Sequence, residues 1–296
     1  MIKIGHRPQR TLARSVEVSG VGIVTGSQVA IRFCPAPADS GIVFQRTDLG
    51  SAPPIPARAE SVTGTQRRTT LGSGANQVTL VEHAVAAVAG MRIDNCLIEL
   101  DGPEPPGLDG SSRGFVDAIA DGGVVLSTAL RARWTVDEPI LLRQGGATIG
   151  FYPHGSDELL ISYLLDYGPQ SPIVPQTYTE TITPDRFQRN LCHCRTFLLE
   201  EEAHELQKQG IGKHLTASEL LVFGPRGPIG NELRHSNEPA RHKILDLVGD
   251  LALSGMDLVG HIVAYRSGHP LNVEMAKVVS RVARAHCGAP TARKAA

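Results

Sequence analysis

EPARHKILDLVGDLALSGMDLVGHIVAYRSGHP, residues 238–270, is the stretch around which we expect the rest of the chain to fold. It opens as a helix, because Pro239 suits the first helical position, where its missing N–H costs nothing. Gly255 suits the left-handed position just past the helix end. At about 100° per residue, one side of this helix is apolar, and that side consists of Ile244, Leu245, Leu247, Val248, Leu251 and Ala252.

The opposite side of the same helix is polar. His242, Asp246 and Asp250 recur every four residues and therefore stack on one face, with Lys243 beside them. Spacing alone favours the ordinary interpretation, a surface helix with a solvated polar face. The alternative is a metal-ligand pair, because an imidazole and a carboxylate one turn apart can bind one cation together.

A second polar feature follows this helix. A short apolar strand is predicted over residues 258–265, and it runs into the sequence Arg-Ser-Gly-His-Pro. His269 is thereby placed on a loop at a strand end, where functional side chains often lie.

Composition and charge limit the class of protein. The chain has 296 residues, enough for one large domain or two of ordinary size. Hydrophobic residues make up 41% and charged residues 20%, as expected for a globular protein in water. The formal net charge is -1 and the pI about 6.8, whereas electrostatic binders of nucleic acid or anionic membranes are usually more basic. We therefore expect no nucleic-acid partner.

Cysteine usage and hydropathy predict the compartment. The cysteines are odd in number and scattered, which is no disulfide framework and is typical of a reducing compartment; they are Cys34, Cys96, Cys192, Cys194 and Cys287. The N-terminal residues lack the apolar core of a signal peptide. No stretch approaches the roughly 18 apolar residues of a membrane span. We expect a cytoplasmic protein without stable membrane insertion.

Glu82 and His83 stand out in the first half because they lie in an otherwise apolar helix, predicted over residues 79–90. Thr79 and Glu82 match a capping box. Taken alone, Glu82 is more typical of a cap partner than of a base, and His83 of a hydrogen-bonded core histidine. The glycine-rich segment at residues 20–26 has the wrong spacing for a dinucleotide loop, so a bend between strands is favoured.

Strands precede helices in both halves of the chain, and the pattern resets around residues 127–135. This predicts an α+β fold of two similar domains, residues 1–128 and 135–296, each a β-sheet packed against helices. A Cys-His-Cys triplet at residues 192–194 lies in the second half. Adjacent ligands of this kind cannot surround one tetrahedral ion without further partners, so a structural role is favoured for the triplet.

The polar features together resemble a catalytic metal site, which has three protein ligands and one open position. His83, His242 and Asp246 would supply two imidazoles and a carboxylate. Glu82 is next to one of these ligands and could take a proton from an attacking water.

The chain resembles the zinc-dependent UDP-3-O-acyl-N-acetylglucosamine deacetylases of bacterial lipid A biosynthesis over about residues 10–285. The matching motifs are specific in combination and weak singly; they are GVGxxTG at 20–26, TLVEHAVAAVAGMRIDN at 79–95, LDGSS at 108–112, RTF at 195–197, RHKILDLVGDL at 241–251 and SGHPLN at 267–272. The resemblance implies hydrolysis of the N-acetyl amide of an acylated UDP-sugar to the free amine and acetate.

The resemblance also implies a role for each polar residue. By position, the zinc (Zn2+) ligands would be His83, His242 and Asp246. Glu82 would be the general base and His269 the general acid.

Further roles follow from the same resemblance. Asp250 would orient His269. Lys243 and Thr196 would lie near the reacting amide, assisting substrate binding and the oxyanion. Phe197 would contact the sugar. The family fold is two similar α+β domains with the active site between them and an apolar passage for the acyl chain, and we expect a monomer.

Two departures from the family pattern bear on the substrate. Val24 stands where the family usually has a histidine, and His214-Leu215-Thr216 aligns with a Gly-Gly-Ser segment associated with the substrate's head group. Two alternatives therefore remain beside the deacetylase. One is a zinc hydrolase of the same fold acting on a different N-acyl sugar, and the other is a non-catalytic binding protein that retains the fold.

Overall fold

A computed structural model describes residues 1–216 and 219–288. Strands and helices occur in both halves of the chain, and the sheets pack against the helices, which confirms the predicted α+β class. The first half forms β1 (Ile2–Leu12), β2 (Val16–Val21), β3 (Gln28–Pro35), β4 (Ile42–Arg46), β5 (Ile55–Pro56), β6 (Val62–Gly64), β7 (Thr70–Ser73), β8 (Asn76–Val78), α1 (Glu82–Gly90), β9 (Cys96–Leu100) and α2 (Arg113–Gly122).

The second half also consists of strands and helices. It forms β10 (Val124–Thr135), β11 (Ile140–Gln144), β12 (Ala147–Tyr152), β13 (Leu159–Leu165), β14 (Gln176–Thr181), α3 (Pro184–Asn190), β15 (Phe197–Leu199), α4 (Glu200–Lys208), β16 (Leu221–Gly224), β17 (Gly227–Pro228), α5 (Glu238–Ala252), β18 (Asp257–Leu258), β19 (Gly260–Tyr265) and α6 (His269–Gly288).

Each half is built on a five-stranded sheet, and the two sheets have the same topology. Their strand orders are β2-β3-β9-β4-β5 and β11-β12-β19-β13-β14. In the first sheet, β9 is the last strand along the chain, and it lies between β3 and β4, antiparallel to β3 and parallel to β4. In the second sheet, the last strand β19 lies in the same way between β12 and β13, antiparallel to β12 and parallel to β13. A helix precedes this inserted strand in each half and another follows it. The fold therefore contains a structural repeat that residue-by-residue comparison of the halves does not reveal.

The junction between the halves is itself a strand. Residues 127–135 lie within β10, which pairs antiparallel along β1, and β10 also pairs with β18 from the second half. The boundaries 1–128 and 135–296 remain a prediction, because this shared three-stranded sheet connects both halves.

The core between the two halves is formed where α1 packs against α5. A Cβ on Gly249 of α5 would lie 2.3 Å from the Glu82 carbonyl oxygen, so only glycine permits this approach. His242, Asp246 and Asp250 on the polar face of α5 are 2%, 3% and 0% exposed. The interpretation of α5 as a surface helix with a solvated face is therefore wrong, because α1 covers that face.

The length and hydropathy of the helices bear on whether the chain could cross a membrane. None of the helices within residues 1–216 and 219–288 combines the length and the apolar character that crossing a bilayer requires.

Candidate metal centre and active site

Glu82 and His83 open α1 and point toward α5. The helix begins at Glu82 rather than at Thr79, after Leu80 adopts a positive φ of 55°. The predicted capping box is wrong. The Glu82 carboxylate instead accepts a hydrogen bond from the Thr69 backbone N–H (3.0 Å), and the Thr79 hydroxyl pairs with that of Thr70 (2.8 Å). Glu82 is thus held in the interior, beside the polar face of α5.

The structure brings together the three predicted metal ligands. Oδ1 of Asp246 lies 3.3 Å from Nε2 of His242 and 3.5 Å from Nε2 of His83. The two imidazole rings are nearly perpendicular, with centroids 5.1 Å apart. Two ligand atoms bound to zinc at 2.0–2.1 Å in tetrahedral geometry lie about 3.3 Å apart, so the observed spacing fits a single ion.

The chemistry of these groups also fits a metal. Oδ1 of Asp246 is buried and has no hydrogen-bond partner, a costly state for a carboxylate oxygen unless a cation completes it. Burial lowers the pKa of His242 to about 4, against the opposing effect of Asp246, so the ring is neutral at physiological pH. His242 Nδ1–H donates to the Cys194 carbonyl (3.0 Å), which leaves Nε2 as the ligand atom.

Lys243 occupies the other side of Asp246. Its ammonium donates to Oδ2 of Asp246 at 2.8 Å. Burial alone would lower the pKa of Lys243, but the Asp246 carboxylate, together with Tyr163 and Tyr167, outweighs burial and holds that pKa above its ordinary value. Burial would raise the pKa of Asp246, but His242 and Lys243 hold it well below its ordinary value. A fixed positive charge therefore lies next to the three predicted ligands.

His269, at the start of α6, lies between two carboxylates. Its Nδ1–H donates to Oδ2 of Asp250 (2.8 Å), and its Nε2 is 3.9 Å from Oε1 of Glu82. Burial lowers the pKa of His269, but Asp250 and then Glu82 outweigh it and raise the pKa to about 9. Burial raises the pKa of Glu82, against the opposing effect of the His269 cation. The geometry thus holds a cationic imidazole opposite a carboxylate that protonates more readily than usual.

Asp250 is held by hydrogen bonds from residues that the sequence did not identify as its partners. The Thr69 hydroxyl donates to its Oδ1 (2.7 Å) and the Asn272 amide to its Oδ2 (2.9 Å). Asn272 is oriented in turn by Ser267, 2.8 Å away. Ser267 and Asn272 belong to the SGHPLN motif, which could have identified them as site residues. Thr69 lies in none of the motifs found in the sequence.

A cavity of about 710 Å³ opens from these groups. Its lining includes Glu82, His83 and Lys243. The lining surface is mainly apolar, and the segment around α4 and β15–β16 contributes both apolar and polar residues to it; the apolar ones are Leu198, Ala203, Leu206, Ile211, Leu215 and Val222, and the polar ones are Glu200, Glu202, His204 and Gln207. The predicted site residues therefore share one cavity with a large apolar surface.

Comparison with known proteins places the chain in a family. The sequence model of the family described as UDP-3-O-acyl N-acetylglycosamine deacetylase matches residues 9–281. The chain belongs to this family. The relatives include proteins named UDP-3-O-acyl-N-acetylglucosamine deacetylase from Nostoc sp., 40% identical over 91% of this chain and 97% of the relative, and from Chlamydia abortus, 40% identical over 94% and 98%. A protein of the same name from Anaeromyxobacter dehalogenans is 38% identical over 94% of this chain and 89% of its own length.

Two residues that the family resemblance placed near the substrate line the same cavity. Thr196 follows a loop and is held through its backbone, its N–H donating to the Gly110 carbonyl at 2.8 Å. Phe197 packs edge-on against His242 with ring centroids 6.0 Å apart, and it is buried. Both therefore lie beside the ligand set, although Phe197 has little free surface for a sugar.

The two departures from the family pattern lie on the same side of the cavity. Val24, in the glycine-rich bend between β2 and β3, lines it together with Leu215. A Cβ on Gly26 of that bend would lie 2.9 Å from Nδ1 of His214. The bend is fixed by the buried Glu104 carboxylate, which accepts from the Val24 and Thr25 backbone N–H groups. The two substitutions thus change one wall of the site, not two separate places.

Sequence reasoning missed the pair that anchors the start of α5. Arg195 is buried and donates to both oxygens of the buried Glu238 carboxylate, at 2.9 and 3.1 Å. The Arg195 side chain thereby ties the segment that carries Thr196 to the helix that carries His242. The RTF motif contained Arg195, but its partner 43 residues away could not be identified from the sequence alone.

Proposed function

We propose that the chain is a zinc-dependent amidohydrolase that removes the N-acetyl group of UDP-3-O-acyl-N-acetylglucosamine, giving the free amine and acetate, in lipid A biosynthesis. One observation carries the proposal. His83, His242 and the unpartnered Oδ1 of Asp246 converge beside a paired Asp250–His269 in a largely apolar cavity. Family membership supplies the substrate class, since the relatives are named for this reaction.

Two imidazoles and one carboxylate with an open position are typical of catalytic zinc, and His83, His242 and Asp246 would hold the ion. When bound, zinc supplies Lewis acidity that polarises the amide carbonyl and makes water a better nucleophile at neutral pH. Neutral His242 and ionised Asp246 are in the protonation states that such binding requires.

Proton transfer in the proposed reaction falls to Glu82 and His269. Glu82 accepts a proton from the attacking water, for which it must be ionised. His269 donates a proton to the departing nitrogen, for which it must be cationic, and Asp250 holds it in that state. Their facing atoms, Oε1 and Nε2, lie 3.9 Å apart, so both groups reach the same reacting centre.

Lys243 and Thr196 are the remaining polar residues with a proposed role, in stabilising the oxyanion and in binding the substrate. Lys243 presents a fixed cation next to Asp246, where it can stabilise the developing oxyanion. Thr196 lines the same cavity as Lys243 and assists in positioning the amide. The apolar lining would take the 3-O-acyl chain, because it belongs to the same cavity as the polar groups.

The departures at Val24 and His214 favour one second candidate, a zinc hydrolase acting on a different N-acyl sugar. Val24 and Leu215 line the cavity and His214 lies against Gly26 of the bend that carries Val24, so the departures would change recognition of the head group without touching the reacting groups. Restoring the family residues with Val24→His and His214→Gly should improve kcat/KM for the UDP-sugar if that substrate is native. It should leave kcat/KM unchanged or lower it if the native substrate is different.

The test of the proposal is metal content together with deacetylase activity. Purified protein should contain zinc and should release acetate from UDP-3-O-acyl-N-acetylglucosamine. A chelator should abolish the activity and added zinc should restore it. Activity confined to simpler N-acetyl sugars would favour the second candidate. Protein with no metal and no activity would favour the non-catalytic alternative.

The compartment and the assembly state belong to the same proposal. Cys34, Cys96, Cys192 and Cys194 are free thiols, which is typical of a reducing compartment such as the cytoplasm. We propose a monomer, because all the proposed ligands and acid–base groups come from one chain.

A further inference from the structure

A second cluster of metal-ligand side chains lies outside the proposed active site. His193 and Cys194 follow α3, and His235 precedes α5. One nitrogen from each histidine and the Cys194 sulfur lie within 4.8 Å of one another. The two Nε2 atoms face each other at 2.6 Å, and Cys194 is buried. The sequence favours a structural role for the Cys-His-Cys triplet because it shows no further ligand nearby. In the fold, His235 supplies that further ligand side chain.

Cys192, the third member of that triplet, takes no part in the cluster. Its thiol donates to the Gln188 carbonyl of α3 at 3.0 Å. The Cys194 thiol makes a longer contact of the same kind with the Asn190 carbonyl, at 3.6 Å. The Cys194 sulfur therefore loses only a weak hydrogen bond if it turns to another partner.

We propose that His193, Cys194 and His235 bind a second zinc ion, separate from the one at the catalytic centre. Two imidazoles and a thiolate are a ligand set that zinc accepts readily. Binding would transfer the Cys194 thiol proton to solvent, so the ion gains one anionic ligand. His193 and His235 are only partly buried, which leaves an accessible fourth position for water. The proposal is independent of the function assigned above.

Binding requires the ligand atoms, which lie within 4.8 Å of one another, to shift by about 1 Å or less relative to one another. Two zinc-bound nitrogens lie about 3.3 Å apart in tetrahedral geometry, so the facing Nε2 atoms must separate by about 0.7 Å from their 2.6 Å contact. Both rings are only partly buried, so side-chain rotation is available to them. As they stand, the two nitrogens can share only one hydrogen-bond proton, whereas an ion would engage both lone pairs.

The backbone that carries the ligands is already fixed. The Arg234 guanidinium donates to the His193 carbonyl (2.6 Å), and the Glu238 backbone N–H donates to the His235 carbonyl (3.0 Å). Arg241 donates to the Asn190 carbonyl (3.1 Å), which anchors the preceding helix end. The two ligand-bearing segments are therefore held together before any ion binds, so little ordering entropy opposes binding.

The position of the cluster gives the ion a structural consequence. The Cys194 carbonyl accepts the hydrogen bond from Nδ1 of His242, a ligand of the proposed catalytic metal. An ion bound by the Cys194 sulfur would restrain that carbonyl and hence the orientation of His242. The proposed second site thus supports the first through one residue.

Cobalt substitution tests the proposal with a readout independent of activity. A thiolate bound to Co²⁺ produces an intense near-ultraviolet charge-transfer band, and the proposed catalytic ligands include no sulfur. We expect the full chain, stripped of metal and titrated with Co²⁺, to bind about two equivalents and to show this band. Cys194→Ser should abolish the band and reduce binding to about one equivalent. His235→Phe should weaken or abolish it.

Two matched variants complete the design. Cys192→Ser alters a buried thiol two positions away and should keep the band at full intensity. Asp246→Ala removes a catalytic ligand and should lower binding to about one equivalent while keeping the band. A wild-type protein that binds one equivalent without the band would overturn the proposal even if no variant folds. Persistence of the band in Cys194→Ser, or its loss in Cys192→Ser alone, would overturn the ligand assignment.

Discussion

Asp250→Asn is the substitution that most directly tests how His269 is kept cationic. Asparagine preserves the shape of Asp250 and one acceptor oxygen, but it removes the negative charge 2.8 Å from Nδ1 of His269. Burial lowers the pKa of His269, and Asp250 has the largest effect among the carboxylates that raise it to about 9. With Asp250 neutral, we expect the pKa to fall to its ordinary value of 6.5 or below.

The expected magnitude follows from these values. The change from 6.5 to about 9 corresponds to about 3 kcal/mol of preferential stabilisation of the cation. At pH 8, a group with a pKa of about 9 is roughly nine-tenths protonated, and one of 6.5 is protonated to about 3%. The variant should therefore lose about 30-fold in kcat/KM at pH 8 from protonation alone.

The assay is the pH profile of kcat/KM, whose basic limb reports the acid in the free enzyme. In the wild type that limb should lie near pH 9, and in Asp250→Asn it should move below pH 7. Metal content should not change, because Asp250 is not among the proposed ligands. Asp94→Asn is the matched control, since it neutralises a buried carboxylate that pairs with Arg7 outside the site. A basic limb that stays near pH 9 in Asp250→Asn would refute the reasoning.

The same pKa predicts how stability depends on pH. A group whose pKa is raised on folding stabilises the protein fully below its unfolded value and loses that effect as pH rises through the folded value. His269 should therefore contribute about 3 kcal/mol of stability that disappears between about pH 6.5 and 9. Denaturant melts at both ends of this window should show a smaller difference for Asp250→Asn than for the wild type.

Three further substitutions test other parts of the site. Glu82→Gln keeps an oxygen for the Thr69 N–H, so it should retain metal and fold but lose on the order of 10²–10⁴ in kcat; native turnover would exclude Glu82 as the base. Asp246→Ala should remove the catalytic metal and the activity together, and full metal occupancy at that site would contradict its assignment. Gly249→Ala places a methyl group 2.3 Å from the Glu82 carbonyl, so α1 and α5 must separate; denaturant melts should show a loss of about 1–3 kcal/mol.

The sequence predicted α5 well because its boundary signals are local. Pro239 lies in the first turn, and Gly255 adopts the left-handed conformation with a φ of 69°. The burial of the polar face was not predictable in the same way. A hydrophobic pattern separates two faces of one helix, but it does not show that α1 will cover the polar one.

The misplaced capping box has a similar cause. Thr79 and Glu82 have the right spacing, but a positive φ at Leu80 turns the chain and delays the helix. Glu82 then finds the Thr69 N–H, a partner supplied by tertiary packing. That the proposed ligand and acid–base residues lie close together could be predicted because they occur in short motifs, whereas Thr69 and His235 acquire partners only through the fold.

The repeated topology has a consequence for cooperativity. α1 and α5 are equivalent helices of the two halves, yet each contributes a different part of the proposed ligand set, His83 from one and His242 with Asp246 from the other. Neither half by itself can offer all three ligands. An ion held between them acts as a non-covalent cross-link across the repeat, and its binding free energy is added to that of docking the halves. The strength of their association is then linked to the concentration of free metal.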